Sequence, residues 1–251
     1  MKFDGFTLIS ISIVSHGQGE LVQETLRDLA NFAGSLPFEV ILTRNLIEQL
    51  PFSVSDFPYP LRVIDNAAPK GFGANHNAAF AYCNSPFFCV MNPDVRLRAN
   101  PFWPLIACME DAKVGLAAPM VFDQEGRAED SARRFPTPTG LASKLLGLSD
   151  GRYHVTGANA MEVDWVAGMF MFFRAEAFRD ASGFDEDFFL YYEDADICTR
   201  LWQLRWKVLL QPGASIIHAA QRRSRRNPRY FGWHLSSMTR YFVKHMGRLP
   251  T

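Results

Sequence analysis

The sequence predicts an α/β fold, a mostly parallel sheet with helices on its faces. Short β-rich apolar segments alternate with stretches whose apolar residues recur at helical spacing. One apolar run, Phe87-Phe88-Cys89-Val90-Met91, is unbroken, as in a strand buried on both faces, and it stops abruptly at Asn92-Pro93-Asp94. The end of such a strand is where open α/β sheets bind ligands. With 251 residues the chain suits one large domain or two small ones and is long enough to bury a core.

Taken in order, Phe6 to Val14 reads as the first strand, and Ser15-His16-Gly17 as a polar turn. In the helix Glu20 to Phe32, Leu21, Val22, Leu26, Leu29 and Ala30 share one side. A strand at Phe38 to Leu42, a short helical piece and a strand at Leu61 to Ile64 follow, and a turn at Gly71-Phe72-Gly73 leads into a helix from Asn75 to Cys83. After the buried run, Pro101 to Ala112 reads as helix, Val114 to Phe122 as strand, and Asp123 to Pro138 as a polar loop carrying Arg133-Arg134. Beyond a break at Ser149 to Gly157, Met161 to Arg174 is strand-like and Ala175 to Asp180 a short helix. A helix is expected from Glu193 to Trp206, then a strand at Lys207 to Leu210, a turn at Pro212-Gly213, and a last strand ending at His218. From Gln221 the chain is arginine-rich, then helical with aromatic residues.

Composition excludes several classes. Lys plus Arg equals Asp plus Glu at 26 each, so the overall balance does not ask for a nucleic-acid partner. Cys83, Cys89, Cys108 and Cys198 lack CxxC spacing and read as buried, reduced thiols of a cytoplasmic protein. The start, MKFDGFTLISISIV, suits a core strand and not a signal peptide, and no run approaches the roughly 18 apolar residues of a membrane span. A soluble or peripheral protein is expected.

Three groups of residues carry chemistry. Asp94, at the end of a buried strand, is placed to meet a divalent cation, although Asn-Pro-Asp is also ordinary turn chemistry. Glu193 and Asp194 lie in a helix-start region crowded by Asp185, Glu186, Asp187 and Asp196, with aromatic flanks that point to a partly buried site in which one carboxylate is tuned as a base. Gly71 to Asn77 is a loop entering a helix, suited to phosphate or ribose contacts, although it lacks the third glycine of a dinucleotide fingerprint. His218 closes an apolar strand, as a metal ligand or as a satisfied histidine.

In order and spacing, Asn92-Pro93-Asp94, Asp-Trp-Val-Ala-Gly from Asp164, Gly-Phe-Asp-Glu from Gly183, Tyr-Glu-Asp-Ala-Asp-Ile-Cys-Thr-Arg from Tyr192 and Pro-Gly-Ala-Ser-Ile-Ile-His ending at His218 resemble the family 2 glycosyltransferases of GT-A fold. Within that family the chain is similar to bacterial rhamnosyltransferases of O-antigen and cell-wall assembly, through Gly71 to Asn77, Ser131 to Pro136 and the terminal Ser-x-x-x-Tyr-Phe-x-Lys-His. The resemblance implies that Asp94 holds Mg2+ or Mn2+ on a nucleotide-sugar diphosphate and that His218 completes the coordination. It implies Asp194 as the base, with Glu193 beside it. Donor contacts would come from Ser15, Asn66, Gly73, Asn77, Asn92, Asp94, Arg133 and Arg134; Trp165, Gly168, Asp185 and Glu186 would line the acceptor side. It also implies a dTDP-L-rhamnose donor, a polyprenyl-diphosphate-linked saccharide acceptor and work at the cytoplasmic face of a membrane. A GT-A catalytic domain would span 1–220, with a nucleotide-sugar half to about 120 and an acceptor half beyond, and a basic, aromatic extension would fill 221–251.

The chain departs from the family where Thr43-Arg44-Asn45 replaces an aspartate-rich segment, and where Asn92 leaves one carboxylate fewer near the metal. A nucleotidyltransferase is the rival enzyme reading, but it wants a basic residue in the loop after the first strand, and Ser15 to Gly19 has none. A non-catalytic carbohydrate-binding module on the same fold would not need Asp94, Asp194 and His218 together. Arg222, Arg223, Arg225, Arg226 and Arg229, followed by Tyr230, Phe231, Trp233, Tyr241 and Phe242, form the expected membrane-surface segment, the alternative being a solvated arginine loop followed by a helix packed on the catalytic core.

Overall fold

A computed structural model describes residues 7–148, 151–153, 155, 157–218 and 228–250. In chain order the elements are β1 (Ile9–Ser15), α1 (Gly19–Ala30), β2 (Phe38–Arg44), β3 (Leu61–Asp65), α2 (Phe72–Phe80), β4 (Phe87–Met91), β5 (Val95–Arg96), α3 (Phe102–Cys108), β6 (Val114–Phe122), β7 (Ala132–Arg133), α4 (Pro138–Leu145), β8 (Met161–Glu162), β9 (Trp165–Val166), β10 (Phe170–Arg174), α5 (Ala175–Asp180), α6 (Glu193–Gln203), β11 (Lys207–His218) and α7 (Pro228–His245). Among the described residues nine strands form one sheet in the order β3-β2-β1-β4-β10-β6-β11-β5, with β8 also on β11, while β7 and β9 pair separately.

The strands from β3 to β4 are mutually parallel, as are β6 and β11. The expected mostly parallel sheet is therefore mixed, because β10 runs antiparallel to both β4 and β6 and joins the two parallel parts. Alternation along β1 explains its place at the centre. Ile9, Ile11 and Ile13 pack with Val22, Leu26 and Leu29 of α1 and Phe102 of α3. The intervening serines face the other way: the buried Ser10 hydroxyl meets Glu39 at 2.7 Å, and Ser12 lies 2.8 Å from His76 Nδ1. Burial pushes the His76 pKa down to about 3, so this contact is between neutral groups. On that second face Ala79, Phe88, Val90, Phe173, Phe178, Ile197 and Leu201 form the core beneath α2, α5 and α6.

Four expectations change. The helix after Gly71 begins at Phe72, so Gly73 lies inside α2 and faces the core, where an added Cβ would sit 2.6 Å from Phe184 Cβ. The expected break at Pro212-Gly213 is a register shift within one continuous strand, β11. Met161 to Arg174 divides into three strands separated by turns. The short helical piece before β3 is a single 3-10 turn, Val54–Asp56.

The C-terminal helix α7 also differs from expectation. Tyr241 is fully buried, Trp233 packs on Phe189 with ring centroids 4.8 Å apart, and the Arg229 guanidinium lies over Trp233. Only Phe231 of the five aromatic residues is exposed. Arg222, Arg223, Arg225 and Arg226 lie outside the described residues.

Gly73→Ala is expected to destabilise the protein by about 1 to 2 kcal/mol. Overpacking against Phe184 costs about 1 to 3 kcal/mol, more than the gain of up to about 1 kcal/mol in helix propensity. An unchanged urea midpoint for this variant would show that α2 and the Phe184 turn do not pack as described.

Candidate active site

One end of the site is built where β4 stops. The chain turns through Asn92-Pro93-Asp94 and is held there by Asn92 N–H donating to Met169 O at 2.9 Å and by the buried Thr25 hydroxyl, 2.8 Å from both Pro93 O and Val95 O. The next two residues form β5, antiparallel to the end of β11, and this register sets His218 opposite Val95. His218 Nε2 then lies 3.4 Å from Asp94 Oδ2, and Nδ1 lies 2.8 Å from Glu129 Oε2. Burial opposes charge on His218, but Asp94 and Glu129 outweigh it and raise the pKa. Asp94 Oδ1 is buried with no hydrogen-bond partner. Among the described residues no three His, Cys, Asp or Glu side chains are arranged to hold a metal ion by themselves.

The other end is the first turn of α6. Tyr191 and Tyr192 both take left-handed backbone angles, φ 72° and 68°, a cost that tolerates non-glycine residues only where the surroundings impose it. Asp194 follows. Its Oδ1 accepts from Ala195 N–H at 2.8 Å and its Oδ2 from Gly168 N–H at 3.0 Å. Burial raises its pKa, against the opposing pull of those donors and of Arg133. Glu193 is buried with Oε2 unpartnered, and burial together with the neighbouring Asp194 charge raises its pKa well above the carboxylate range. The arrangement sets two buried carboxylates of raised pKa side by side, Asp194 bonded to two backbone amides and Glu193 with one oxygen unpartnered.

The short turn between β9 and β10 joins the two ends, since Gly168 touches Asp194 and Met169 touches Asn92. A second bridge runs from Glu129, beside His218, through Asp130, paired with Arg133 and with Arg152 at 3.2 Å, to Arg133, whose charge acts on Asp194.

The family model described as "Glycosyl transferase family group 2" matches residues 88–243, which hold both ends of this site. The chain belongs to that family. It is 27% identical over 249 residues to rhamnosyltransferase WbbL of Escherichia coli (strain K12), covering 94% of this chain and 93% of that protein. It is 26% identical over 243 residues to the N-acetylglucosaminyl-diphospho-decaprenol L-rhamnosyltransferase of Mycobacterium tuberculosis, covering 88% and 79%. Among solved structures it matches GalNAc-T7 with UDP, GalNAc and Mn2+ at TM-score 0.69 and 15% identity, covering 96% of this chain and 48% of that one. The mannosyltransferase PcManGT of Pyrobaculum calidifontis, in complex with GDP-Man and Mn2+, matches at TM-score 0.63 and 14% identity, covering 95% and 65%. The chain thus spans about half to two thirds of those neighbours, which share its GT-A fold.

Several residues expected in the pockets of this glycosyltransferase have other partners. The Asn77 amide is spent on the Gly183 turn, with Nδ2 donating to Phe184 O at 2.8 Å and to Glu186 Oε1 at 3.0 Å while Oδ1 accepts from Phe184 N–H at 2.9 Å. Asp185 is paired with Lys244 at 2.6 Å. Gly73 packs its Cα face on Phe184, where an added Cβ would meet Phe184 Cβ at 2.6 Å. The Ser15 hydroxyl bonds to Glu48, whose Oε2 accepts from Gly19 N–H at 2.9 Å and so caps α1. Asn66 is knitted to Asn45 at 2.9 Å and Asn75 at 2.6 Å, at the carboxyl ends of β2 and β3. Of the two arginines, Arg133 lies near Asp194, whereas Arg134 lies over the Tyr153 ring and accepts at its carbonyl from Trp165 Nε1 at 2.9 Å.

Two features of the glycosyltransferase escaped the sequence. Glu129 sits in what reads as a polar loop, with no spacing that ties it to His218. Asp196, two residues beyond the base, is fully buried and bound to Arg200 Nε at 2.8 Å, His245 Nε2 at 2.8 Å and Lys244 Nζ at 2.7 Å. The Tyr-Phe-x-Lys-His pattern is a signal for it, although the partner of those residues cannot be read from spacing. Burial would raise the Asp196 pKa, but His245, Arg200 and Lys244 outweigh it and lower the value.

Asp196→Ala is expected to cost about 3 kcal/mol at neutral pH, because it leaves buried cations uncompensated. Since the folded pKa is lowered, the stabilisation is complete above the ordinary aspartate pKa of about 3.9 and fades as pH falls toward the folded value. Urea midpoints of both proteins at descending pH therefore converge, and a gap that stays constant in acid contradicts the assignment.

Proposed function

We propose that this glycosyltransferase moves L-rhamnose from dTDP-L-rhamnose to a hydroxyl of a saccharide carried on a polyprenyl diphosphate, inverting the anomeric carbon, in bacterial surface polysaccharide synthesis. The observation that carries the reading is Asp194, a carboxylate of raised pKa fixed by the Gly168 and Ala195 amides and joined through one turn to the Asp94 corner. The sugar is supported by the names of both relatives, and the lipid carrier by that of the Mycobacterium tuberculosis relative alone.

Asp194 takes the proton of the acceptor hydroxyl as that oxygen attacks the anomeric carbon from the face opposite the nucleotide. The Gly168 amide holds its second oxygen, so the first is aimed while proton transfer proceeds. Glu193 stays neutral, which avoids two adjacent buried charges. Trp165, braced by its bond to Arg134 O, forms the acceptor wall, and Arg133 lends positive charge between donor and base.

The residues at the Asp94 corner fit a divalent cation, Mg2+ or Mn2+. The buried Asp94 Oδ1 lacks a partner, and the His218 Nε2 atom converges on the same carboxylate. Two protein ligands suit a metal whose other positions are filled by donor phosphate oxygens and water. When bound, the cation offsets charge on the leaving diphosphate. In this reading residues to about 120 hold the nucleotide sugar, and those to 220 hold acceptor and base.

The test pairs transfer with binding. Asp194→Asn is expected to cut rhamnose transfer by roughly 10² to 10⁴ while calorimetric dTDP affinity stays within a few-fold of wild type. Large loss of dTDP binding would make Asp194 a donor ligand instead, and a preference for UDP or GDP would refute the donor.

The lipid-linked acceptor places the enzyme at the cytoplasmic face of the membrane as a peripheral protein. No described helix is long and apolar enough to cross a membrane. Support comes from α7 and the turn after it, where Phe231, Leu235, Val243 and Met246 are 71%, 48%, 74% and 78% exposed. The enzyme is expected to float with anionic vesicles at low salt, and Phe231→Asp/Val243→Asp to stay at the bottom. Wild-type protein that remains at the bottom with anionic lipid overturns the membrane assignment.

A further inference from the structure

We propose that Glu129 is the positioning residue of the metal corner: it fixes the tautomer and ring orientation of His218, so that Nε2 presents a lone pair toward the cation shared with Asp94. The inference rests on the metal reading above, and it assigns work to a residue that does not itself meet the cation.

A neutral imidazole carries one N–H, and an ionised carboxylate only accepts. His218 faces carboxylates on both sides, Glu129 Oε2 at 2.8 Å from Nδ1 and Asp94 Oδ2 at 3.4 Å from Nε2. The shorter contact is a good hydrogen bond and the longer one is not, so the hydrogen belongs on Nδ1. That leaves the Nε2 lone pair opposed to a carboxylate oxygen. Two acceptors facing each other repel unless a proton or a cation sits between them, and the unpartnered Asp94 Oδ1 is a further acceptor at the same corner. A carboxylate on the far nitrogen of a metal-binding histidine is the usual device for setting tautomer and basicity.

The fold holds Glu129 for this task. Its N–H donates to Val121 O at 2.7 Å, which ties it back to the end of β6. Between them the chain makes a tight hairpin, closed by Asp123 N–H to Arg127 O at 2.9 Å and by the bridge of Phe122 with Ala128. Because β6 and β11 are parallel neighbours, with Phe122 opposite Ile217, the returning arm of the hairpin brings Glu129 alongside His218. A solvated loop carboxylate would need no such closure.

Glu129→Ala, Glu129→Gln and Asp94→Asn are compared by titrating Mn2+ with electron paramagnetic resonance in the presence of dTDP, and the His218 ring is observed by 15N NMR with diamagnetic Mg2+. Glu129→Ala is expected to weaken Mn2+ by 10- to 100-fold and to lose the Nδ1–H tautomer. Glu129→Gln keeps an acceptor oxygen and is expected to retain the tautomer with a loss below 10-fold, so the test survives if the alanine variant fails to fold. Unchanged Mn2+ affinity in folded Glu129→Ala, or loss of the Nδ1–H signal in folded Glu129→Gln, overturns the proposal. If Asp94→Asn also binds Mn2+ as wild type does, the metal reading itself fails. If only Asp94→Asn loses the ion, the metal site stands and the role of Glu129 falls alone.

Discussion

The fully buried carboxylate of Asp196 is the contact on which the catalytic end of the molecule depends. A lone charge there would cost several kcal/mol in desolvation, so its ionisation requires the Arg200, Lys244 and His245 groups together. Arg200 belongs to the same helix, but Lys244 and His245 come from the far end of α7. The electrostatics of one residue therefore oblige the C-terminal helix to lie across the start of α6. Around that anchor, Thr199 and Tyr241 share a hydrogen bond at 2.9 Å, Ser237 donates to Leu190 O at 2.9 Å and Arg240 pairs with Asp187 at 2.6 Å. All of these grip the segment that carries Asp194. The helix that reads as an appendage in the sequence is thus part of the frame of the base.

The metal corner depends on a different constraint, strand register. Asp94 belongs to the turn after β4 and His218 to the end of β11, and the two-residue strand β5 aligns them. The turn between β9 and β10 binds both ends of the site with backbone groups, so the distance between Asp194 and the Asp94 corner is set by main-chain geometry and not by long side chains.

Much of this was legible in the sequence, for identifiable reasons. Period-two alternation in Ile9 to Ser15 and the unbroken apolar run of β4 fix the centre of the sheet, and the acidic first turn of α6 marks the buried carboxylate pair. Asp94, His218, Asp194 and Gly168 each sit in a compact motif, and the structure brings Asp94 to His218 and Asp194 to Gly168. Glu129 was not legible, since its relation to His218 exists only once β6 and β11 are side by side. For Asn77, Asp185 and Gly73 the structure shows contacts that the motifs do not announce. Polar and glycine residues in a motif look like ligand contacts, whereas here two of them tie loops down and the third makes room for Phe184. The continuous β11 was hidden by Pro212-Gly213, whose ordinary meaning is a turn and whose meaning here is a bulge.

The antiparallel strand β10 has a consequence for how the chain is made. It is the only link between β4 and β6 among the described residues, and it is synthesised nearly eighty residues after β4. While the nascent chain emerges, β1 to β4 can pair, but one edge of Phe-Phe-Cys-Val-Met remains open until Phe170 to Arg174 arrives. An open apolar edge is a template for pairing with another chain. Non-local pairing of this kind also slows folding. The half-made sheet is therefore the stage at which this protein is most exposed to aggregation, and the arrival of one five-residue strand ends it.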